Sequence, residues 1–393
     1  MPVSNPTLEK QISLFKTPFD EATLFNIAEV LQSGNVMMGE KVKELEAWFA
    51  SCHGGLGGID PEQCVAVNSC STALELALGC TPAKGYKVLI PGLTHVSTIN
   101  AIVKNGLIPK ITDVDANLMV NEEILEEAWD KQVGGVVIVG FGGRSPNMRR
   151  IRDWAYDKSK DVFLWEDCAH SYGSSTFNEG CGHHSDVVCY SMYPTKPLPG
   201  IGGGMIVNNL EDNPRIHKRW RELRYYGFVR DEKGGYDVHR LGSNAYMSDV
   251  QAAVILSFLK PHRVSDLIRS RRKVAIWYHE VLEEMNLKKK VKPRRHYGDE
   301  YDFNDAYHLF PVILDYRYDR EALQAHLTKL GIETGVNFKP LHELSLYKDA
   351  LRAPTPHLDS IGPRLLSLPC HHEMGSEDVV RVCEGIEGFI KKS

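Results

Sequence analysis

Between Tyr193 and Gly204 the chain reads YPTKPLPGIGGG, which sets Lys196 between two prolines and ahead of a cluster of glycines. Pro194 and Pro197 fix their own φ and restrict the residues before them, so the reach of the lysine is aimed. The glycines let the backbone pass close to a ligand or to a partner subunit. A surface lysine needs no such frame. A lysine that bonds covalently to a carbonyl benefits from it, because its amine must be held at one point and kept nucleophilic.

Three further stretches could act with it. NSCSTAL, Asn68 to Leu74, puts small hydroxyl residues where a strand gives way to a helix. The first N–H groups of a helix have no internal partner, and the helix dipole favours an anion there. Such a turn binds phosphate, or it is an ordinary N-cap supplied by Ser69, Ser71 or Thr72. LWEDCAHSYG ends an apolar strand with Glu166 and Asp167. That edge of an open α/β sheet is where ligands bind. Asp167 could hold a proton on a ring nitrogen and His170 could donate to a ring oxygen, or both could cap the next turn. CYSMYPTKPL places Ser191 on a strand end and Lys196 on the loop after it. Together these features match the three parts of pyridoxal phosphate that need protein partners. The phosphate takes the turn, the aldehyde takes the lysine, and the carboxylate keeps the pyridine nitrogen charged, which makes the ring an electron sink.

The elements that would position these residues alternate in type. CVAVNS, YKVLIPG, LIPKITDV, GGVVIVGF, VFLWED, DVVCYSM and GGMIVNN read as strands, with helices TALELALGC, VSTINAIVKNG, NEEILEEAWDK and Arg149 to Lys158 between them. Strand, helix, strand at short spacing predicts a mostly parallel mixed sheet covered on both faces. The helix SDVQAAVILSFLKP is expected to stop at Pro261. A long arginine-rich helix follows, then a polar loop over 287–305, the strand AYHLFPVIL, and helices REALQAHLTKLG and SEDVVRVCEGIEGFIKK. The division expected is a large domain over 1–260 and a smaller α+β domain over 261–393.

Composition narrows the classes. At 393 residues, 42% hydrophobic and 25% charged, the chain suits a soluble globular protein of two parts. A net charge of −5 gives no bulk attraction to nucleic acid or to an anionic membrane. No uninterrupted apolar stretch approaches about 18 residues, and MPVSNPTLEKQISLF lacks the pattern of a signal peptide. Nine scattered cysteines without a CxxC pair suit a reducing cytoplasm. Cys181 with His183 and His184 is the one cluster of metal-ligand types; it lacks a second pair, and no metal is expected.

The chain resembles the DegT/DnrJ/EryC1/StrS sugar aminotransferases, a family of fold-type-I, aspartate-aminotransferase-like pyridoxal-phosphate enzymes. The resemblance runs nearly end to end. IAEVLQSGNVMMGEKVKELEAWFA, NSCSTALELAL, VLIPGLTHVSTINAIVKNGLIPKITDVD, EDCAHSYG, YSMYPTKPL, LGSNAYMSDVQAA, KPLHELSLY and LLSLPCH follow in the family's order. It implies that Lys196 forms a Schiff base with the coenzyme and carries the proton in transamination, and that Asp167 pairs with the pyridinium nitrogen. It implies that His170 approaches the phenolic oxygen, that Cys70, Ser71, Thr72 and Ser191 surround the phosphate, and that His95 stacks on the ring. Asn244 would reach the phosphate of a neighbouring subunit, which makes the active unit a homodimer. His342, from the family's PLH motif, and Tyr193 would face the substrate; for His342 a capped loop histidine is the alternative.

The sequence departs from the family in places. His95 replaces an aromatic, Cys70 a glycine, Tyr246 an arginine and Pro197 an asparagine, and GFGGRSPNM is a poor copy of the family's LYGxPADM. These bear on the substrate more than on the chemistry. The implied function is transfer of an amino group from an amino acid, with glutamate expected, to a keto sugar, with a nucleotide-linked deoxysugar expected, in the cytoplasm. Lys196 argues against the dehydratase branch, in which a histidine replaces the lysine. A non-catalytic regulator on the same fold and an enzyme for a non-nucleotide keto substrate stay open as alternatives.

Overall fold

A computed structural model describes residues 11–53, 58–80, 86–177, 179–210, 214–231, 233–259, 263–294 and 304–393. Its centre is an eight-stranded sheet. From one edge to the other the strands are Cys64–Val67, Gly204–Asn208, Val187–Ser191, Phe163–Asp167, Val133–Val139, Lys87–Pro91, Ile108–Thr112 and Leu351–Arg352. Gly204–Asn208 runs antiparallel to both of its neighbours, and the other pairings are parallel. This is the mostly parallel mixed sheet that the alternation of strands and helices predicts.

Side-chain alternation divides the core into two layers. Val65 and Val67 join one apolar cluster with the helices Cys70–Gly79 and Val96–Lys104, while Cys64 and Ala66 join the other with Glu40–Ser51 and Asp249–Leu259. The helix Asp249–Leu259 is apolar on nearly every side because it is sandwiched: Val254, Ile255, Phe258 and Leu259 are all fully buried. Asp249, at its start, accepts the backbone N–H groups of Gly39, Lys41 and Val42, at 2.5, 2.8 and 3.2 Å, and so caps the helix Glu40–Ser51 from a distance.

A second, three-stranded antiparallel sheet is built from Val291–Pro293, Phe310–Leu314 and Leu365–Leu368. Helices Arg263–Glu284, Arg320–Lys329 and Ser376–Ile390 cover it around a separate apolar cluster, in which Tyr278 stacks on Phe310 at 4.6 Å. The two parts exchange segments. Leu351–Arg352 supplies an edge strand to the large sheet, and Ile12 bridges Ile332 and packs into the second cluster.

The structure corrects parts of the sequence reading. The expected loop over 287–305 contains the strand Val291–Pro293; residues 295–303 of it, and the expected stop at Pro261, lie outside the described residues. The strand expected from Ala306 starts at Phe310. Residues 305–308 instead dock on the turn at Gly142 and Gly143, whose backbone carbonyls accept Leu309 N–H and Ala306 N–H. Both glycines have positive φ, and a Cβ on Gly143 would stand 2.6 Å from the Tyr307 nitrogen, so only glycine permits that approach.

Candidate active site

The carboxyl ends of several parallel strands meet at one edge of the large sheet, and each delivers a side chain to a cavity of about 520 Å³. Lys196, Asp167, His170, Cys70, Ser71, Ser191, His95 and Tyr193 all line it. Thr72, Asn244 and His342 are not among its lining residues.

Alternation along Phe163–Asp167 separates its two carboxylates. Glu166 points to the far side, where it accepts Gly182 N–H at 3.1 Å and the Ser185 hydroxyl at 3.2 Å. Asp167 points into the cavity and is 4% exposed. Its oxygens accept the Ala169 backbone N–H at 3.1 Å and the Thr98 hydroxyl at 2.9 Å. Burial pushes its pKa up, while those two bonds and the Lys196 charge oppose the rise. A buried carboxylate in this setting favours a cation or a bound proton beside it.

Lys196 sits on the bend after Val187–Ser191, closed by its own N–H on the Tyr193 carbonyl at 2.9 Å. The Thr195 carbonyl accepts from the buried Arg271 guanidinium at 3.1 Å, which pins the loop from the side of the long helix. Burial lowers the Lys196 amine from 10.5 to about 8, with Arg271 adding to the fall and Asp167 and Cys70 working against it. Near neutral pH the amine is therefore partly unprotonated, as a nucleophile and proton carrier requires.

At the other end of the cavity Ser69 caps the helix Cys70–Gly79 by accepting Thr72 N–H at 3.2 Å. Thr72 gives its own hydroxyl to Asn68 at 2.8 Å. The ordinary cap thus exists, and Cys70 and Ser71 still open into the cavity beside Ser191. The glycines after Lys196 serve this turn. A Cβ on Gly204 would lie 2.5 Å from the Ser69 carbonyl carbon, and Gly202 and Gly203 have positive φ. The backbone thereby closes on the turn and leaves a cradle of N–H groups and hydroxyls suited to a phosphate.

His170 accepts Gly142 N–H on Nδ1 at 3.3 Å, so its neutral ring carries the proton on Nε2. Burial and the Lys196 charge hold it well below the usual imidazole range. His95 caps the helix Val96–Lys104 and meets Phe338 edge-on at 5.4 Å. Asn244 is exposed, and its carbonyl accepts from Asn68 Nδ2 at 3.1 Å. His342 pairs through Nε2 with Asp359 at 2.9 Å. Cys181 donates to the Ser171 carbonyl, His184 pairs with Glu179, and His183 lies against the Gly180 carbonyl.

Sequence reasoning missed His308, Phe15 and Phe338. His308 Nε2 lies 3.4 Å from Lys196 Nζ. Its ring is sandwiched between His170, at 4.4 Å, and Phe15, at 5.5 Å. Burial and Lys196 push its pKa well down, so it stays a neutral neighbour of the amine. The available signal was a lone histidine inside the apolar run AYHLFPVIL. The GFGGRS stretch explains how that segment arrives: Arg144 and Arg294 both bind Asp305, at 2.7 and 3.2 Å, with all three side chains at most 4% exposed.

A fold of this topology, with a lysine of lowered pKa, a buried aspartate and an anion cradle at one sheet edge, is suited to group transfer. The sequence model of the DegT/DnrJ/EryC1/StrS aminotransferase family matches residues 19–387, and the chain belongs to that family of aminotransferases. It is 30% identical to the spore coat polysaccharide biosynthesis protein SpsC of Bacillus subtilis, over 93% of each chain. It is 27% identical to a UDP-4-amino-4,6-dideoxy-N-acetyl-β-L-altrosamine transaminase of Campylobacter jejuni, over 95% of this chain and 96% of that one. The solved structure of the aminotransferase TlmJ from Streptoalloteichus hindustanus superposes with a TM-score of 0.87 at 25% identity, covering 98% of this chain and 100% of that one.

Proposed function

We propose that the protein is a homodimeric pyridoxal-phosphate aminotransferase that moves an amino group from an amino acid, glutamate foremost, to the keto group of a nucleotide-linked sugar. The observation that carries this reading is the Lys196 amine, lowered to about 8 in a cavity it shares with the buried Asp167. The residues fit the coenzyme. Ser71, Ser191 and the first turn of helix Cys70–Gly79 would hold its phosphate, with the Gly204 backbone close enough to Ser69 that a side chain would fill the cradle. Asp167 would hold the ring nitrogen proton and His170 Nε2–H the ring oxygen. Bound there, the coenzyme supplies a cationic ring that accepts electron density from the reacting carbon. The rest falls to the chain. Lys196 Nζ takes the proton from the α-carbon of the amino donor and returns one to the carbon that receives the amino group. Between those events His308 Nε2 keeps the freed amine in place. Phe15, Phe338 and Tyr193 border the cavity and would exclude water from the reacting carbon.

The sugar acceptor is supported by what the relatives are named for, and the cytoplasmic setting by nine free thiols, eight of them buried. Among the described residues no helix is long and apolar enough to cross a membrane. The two-part division at residue 260 is supported by the cluster over the second sheet, with Ile12 joining that cluster and Leu341 and Tyr347 joining the one on the large sheet.

The test is chemical. Borohydride reduction of the purified protein, followed by peptide mass spectrometry, should find a pyridoxyl group on Lys196, and a glutamate-coupled screen of keto sugars should then reveal the acceptor. A protein that reduces without label at Lys196 would end this reading.

A further inference from the structure

His95 is where the chain leaves its family's aromatic, and its surroundings give the ring a fixed chemistry. Nδ1 accepts the Ser97 backbone N–H at 3.2 Å and lies 2.8 Å from the Ser97 hydroxyl. A backbone N–H can only donate, so Nδ1 presents a lone pair and the proton of the neutral ring sits on Nε2. Charging the ring would put a second proton on Nδ1 and undo the helix cap. Burial and the Lys196 charge also oppose charging, against a smaller pull from Asp167. The other charged groups near the ring are Glu75 and Lys104, which pair with each other on the adjoining surface. Across neutral pH, then, His95 offers one Nε2–H donor to the cavity, and that nitrogen has no partner among the described residues.

His170 is locked the same way by Gly142, but the two donors serve different depths. His170 is 4% exposed and packed against His308. His95 also borders a surface depression with Ser71, Ser97 and Asn100, so it stands at the mouth where a substrate passes. An amino donor carries a carboxylate on the same carbon as its amine. No arginine lines the cavity among the described residues, and the Lys196 amine is committed to the reaction. Asp167, deeper in, repels an anion. Among the described residues, Ser71, His95 and Ser97 line both the cavity and the depression at its mouth, and of these His95 alone has a side-chain N–H to offer that carboxylate.

We propose that His95 is a specificity residue of this aminotransferase: its Nε2–H binds the α-carboxylate of the amino donor, a contact that a phenyl ring at this position cannot make. The proposal rests on the aminotransferase reading above. A competing source of the same oxyanion chemistry is the phosphate of the sugar acceptor, and the two half-reactions tell them apart.

The experiment has two arms. In the first, long-range ¹⁵N NMR on the cofactor-free protein, with His95→Asn to assign the signal, should show a single Nε2–H tautomer from pH 6 to 8; an Nδ1–H ring, or one that charges with a midpoint near the ordinary 6.5, overturns the proposal. In the second, the holoenzyme is reacted in single turnovers with the most reactive proteinogenic amino acid, and the amine form with the best keto sugar. His95→Phe keeps a ring and His95→Asn keeps an oxygen for the cap. Both should raise the half-saturating donor concentration about tenfold or more, as loss of a hydrogen bond to a charged group does. In both, the rise for the donor should exceed any rise for the acceptor by about tenfold or more. An unmoved donor half-reaction, a loss confined to the Phe variant, or a loss confined to the acceptor overturns the proposal. Absence of any borohydride label on wild-type Lys196 overturns the aminotransferase reading itself and this proposal with it.

Discussion

Lys196 is held in a state that the fold itself disfavours. A free lysine titrates at 10.5, whereas burial here lowers it to about 8. Between those values the unfolded chain binds a proton that the folded one does not, so stability rises with pH across that window. Below pH 8 the fold must bury an ammonium. Cofactor-free Lys196→Met should therefore be more stable than wild type at pH 7, by on the order of 1–3 kcal/mol, and the gain should vanish above about pH 10.5. Urea denaturation at the two pH values measures it; a Met variant weaker than wild type at pH 7 would show that burial does not depress the amine's pKa. The same variant should carry no pyridoxyl label and no turnover. Asp167→Asn probes the opposite charge. Its one amide oxygen can still accept from Ala169 N–H, and its NH2 can donate to the Thr98 hydroxyl once that hydroxyl turns, so the fold and cofactor affinity should survive. Without a charge on that side chain, turnover should fall about a hundredfold or more, as loss of an acid–base group does. Fluorescence titration of the coenzyme beside steady-state kinetics separates the two effects, and full activity in the Asn variant would strip Asp167 of its role.

At the scale of elements, local signals were legible and assembled ones were not. Apolar runs such as VFLWED and the turn NSCSTAL carry their periodicity and caps within a few residues, and the structure has a strand and a capped helix there. Period-two alternation even separates Asp167 from Glu166 once the strand is known. His308 was hidden because its position depends on residues far away in sequence. The stretch GFGGRS looks like a degraded motif until segment 305–308 docks on it; then its glycines are the landing site and Arg144 is the anchor. The strand Val291–Pro293 was missed because KKKVKP is mostly charged, and only its pairing with Phe310–Leu314 buries Val291 and Pro293. This docking makes a prediction of its own. Asp305→Ala leaves Arg144 and Arg294 as buried cations without their shared carboxylate. Breaking such a group costs about 3–5 kcal/mol, which urea denaturation would register. Because the same segment carries His308, borohydride labelling of Lys196 should also slow in any fraction that stays folded. A loss below about 1 kcal/mol, the range of exposed pairs, would mean that the anchor does not hold the segment.

Over the whole molecule, the surface around Asn244 carries an apolar patch that fits the proposed dimer. Leu241 is 99% and Tyr236 68% exposed, beside a cluster of Tyr225, Tyr226, Phe228 and Tyr246 with ring centroids 5.4 to 6.4 Å apart. Leu24 and Phe25, on the helix Glu21–Ser33, are 65% and 64% exposed. Half-buried and exposed aromatics grouped beside a bare leucine are the kind of surface a partner would cover. A two-fold dimer would explain why Asn244 lies outside the cavity of its own chain, since it could complete the partner's. Light scattering should then give twice 44.2 kDa, and Leu241→Asp should yield folded monomers without turnover. The sharing of sites has a sharper consequence. Lys196→Ala and Asn244→Ala should each be impaired as homodimers. In a mixed dimer the Asn244→Ala chain still has its own lysine and receives an intact Asn244 from its partner, so one of the two sites is whole. Unfolding and refolding the variants together should recover roughly a quarter of wild-type activity, the share expected when chains pair at random in a two-fold dimer. Recovery no greater than the sum of the separate variants would place Asn244 in service of its own chain and remove the case for shared sites.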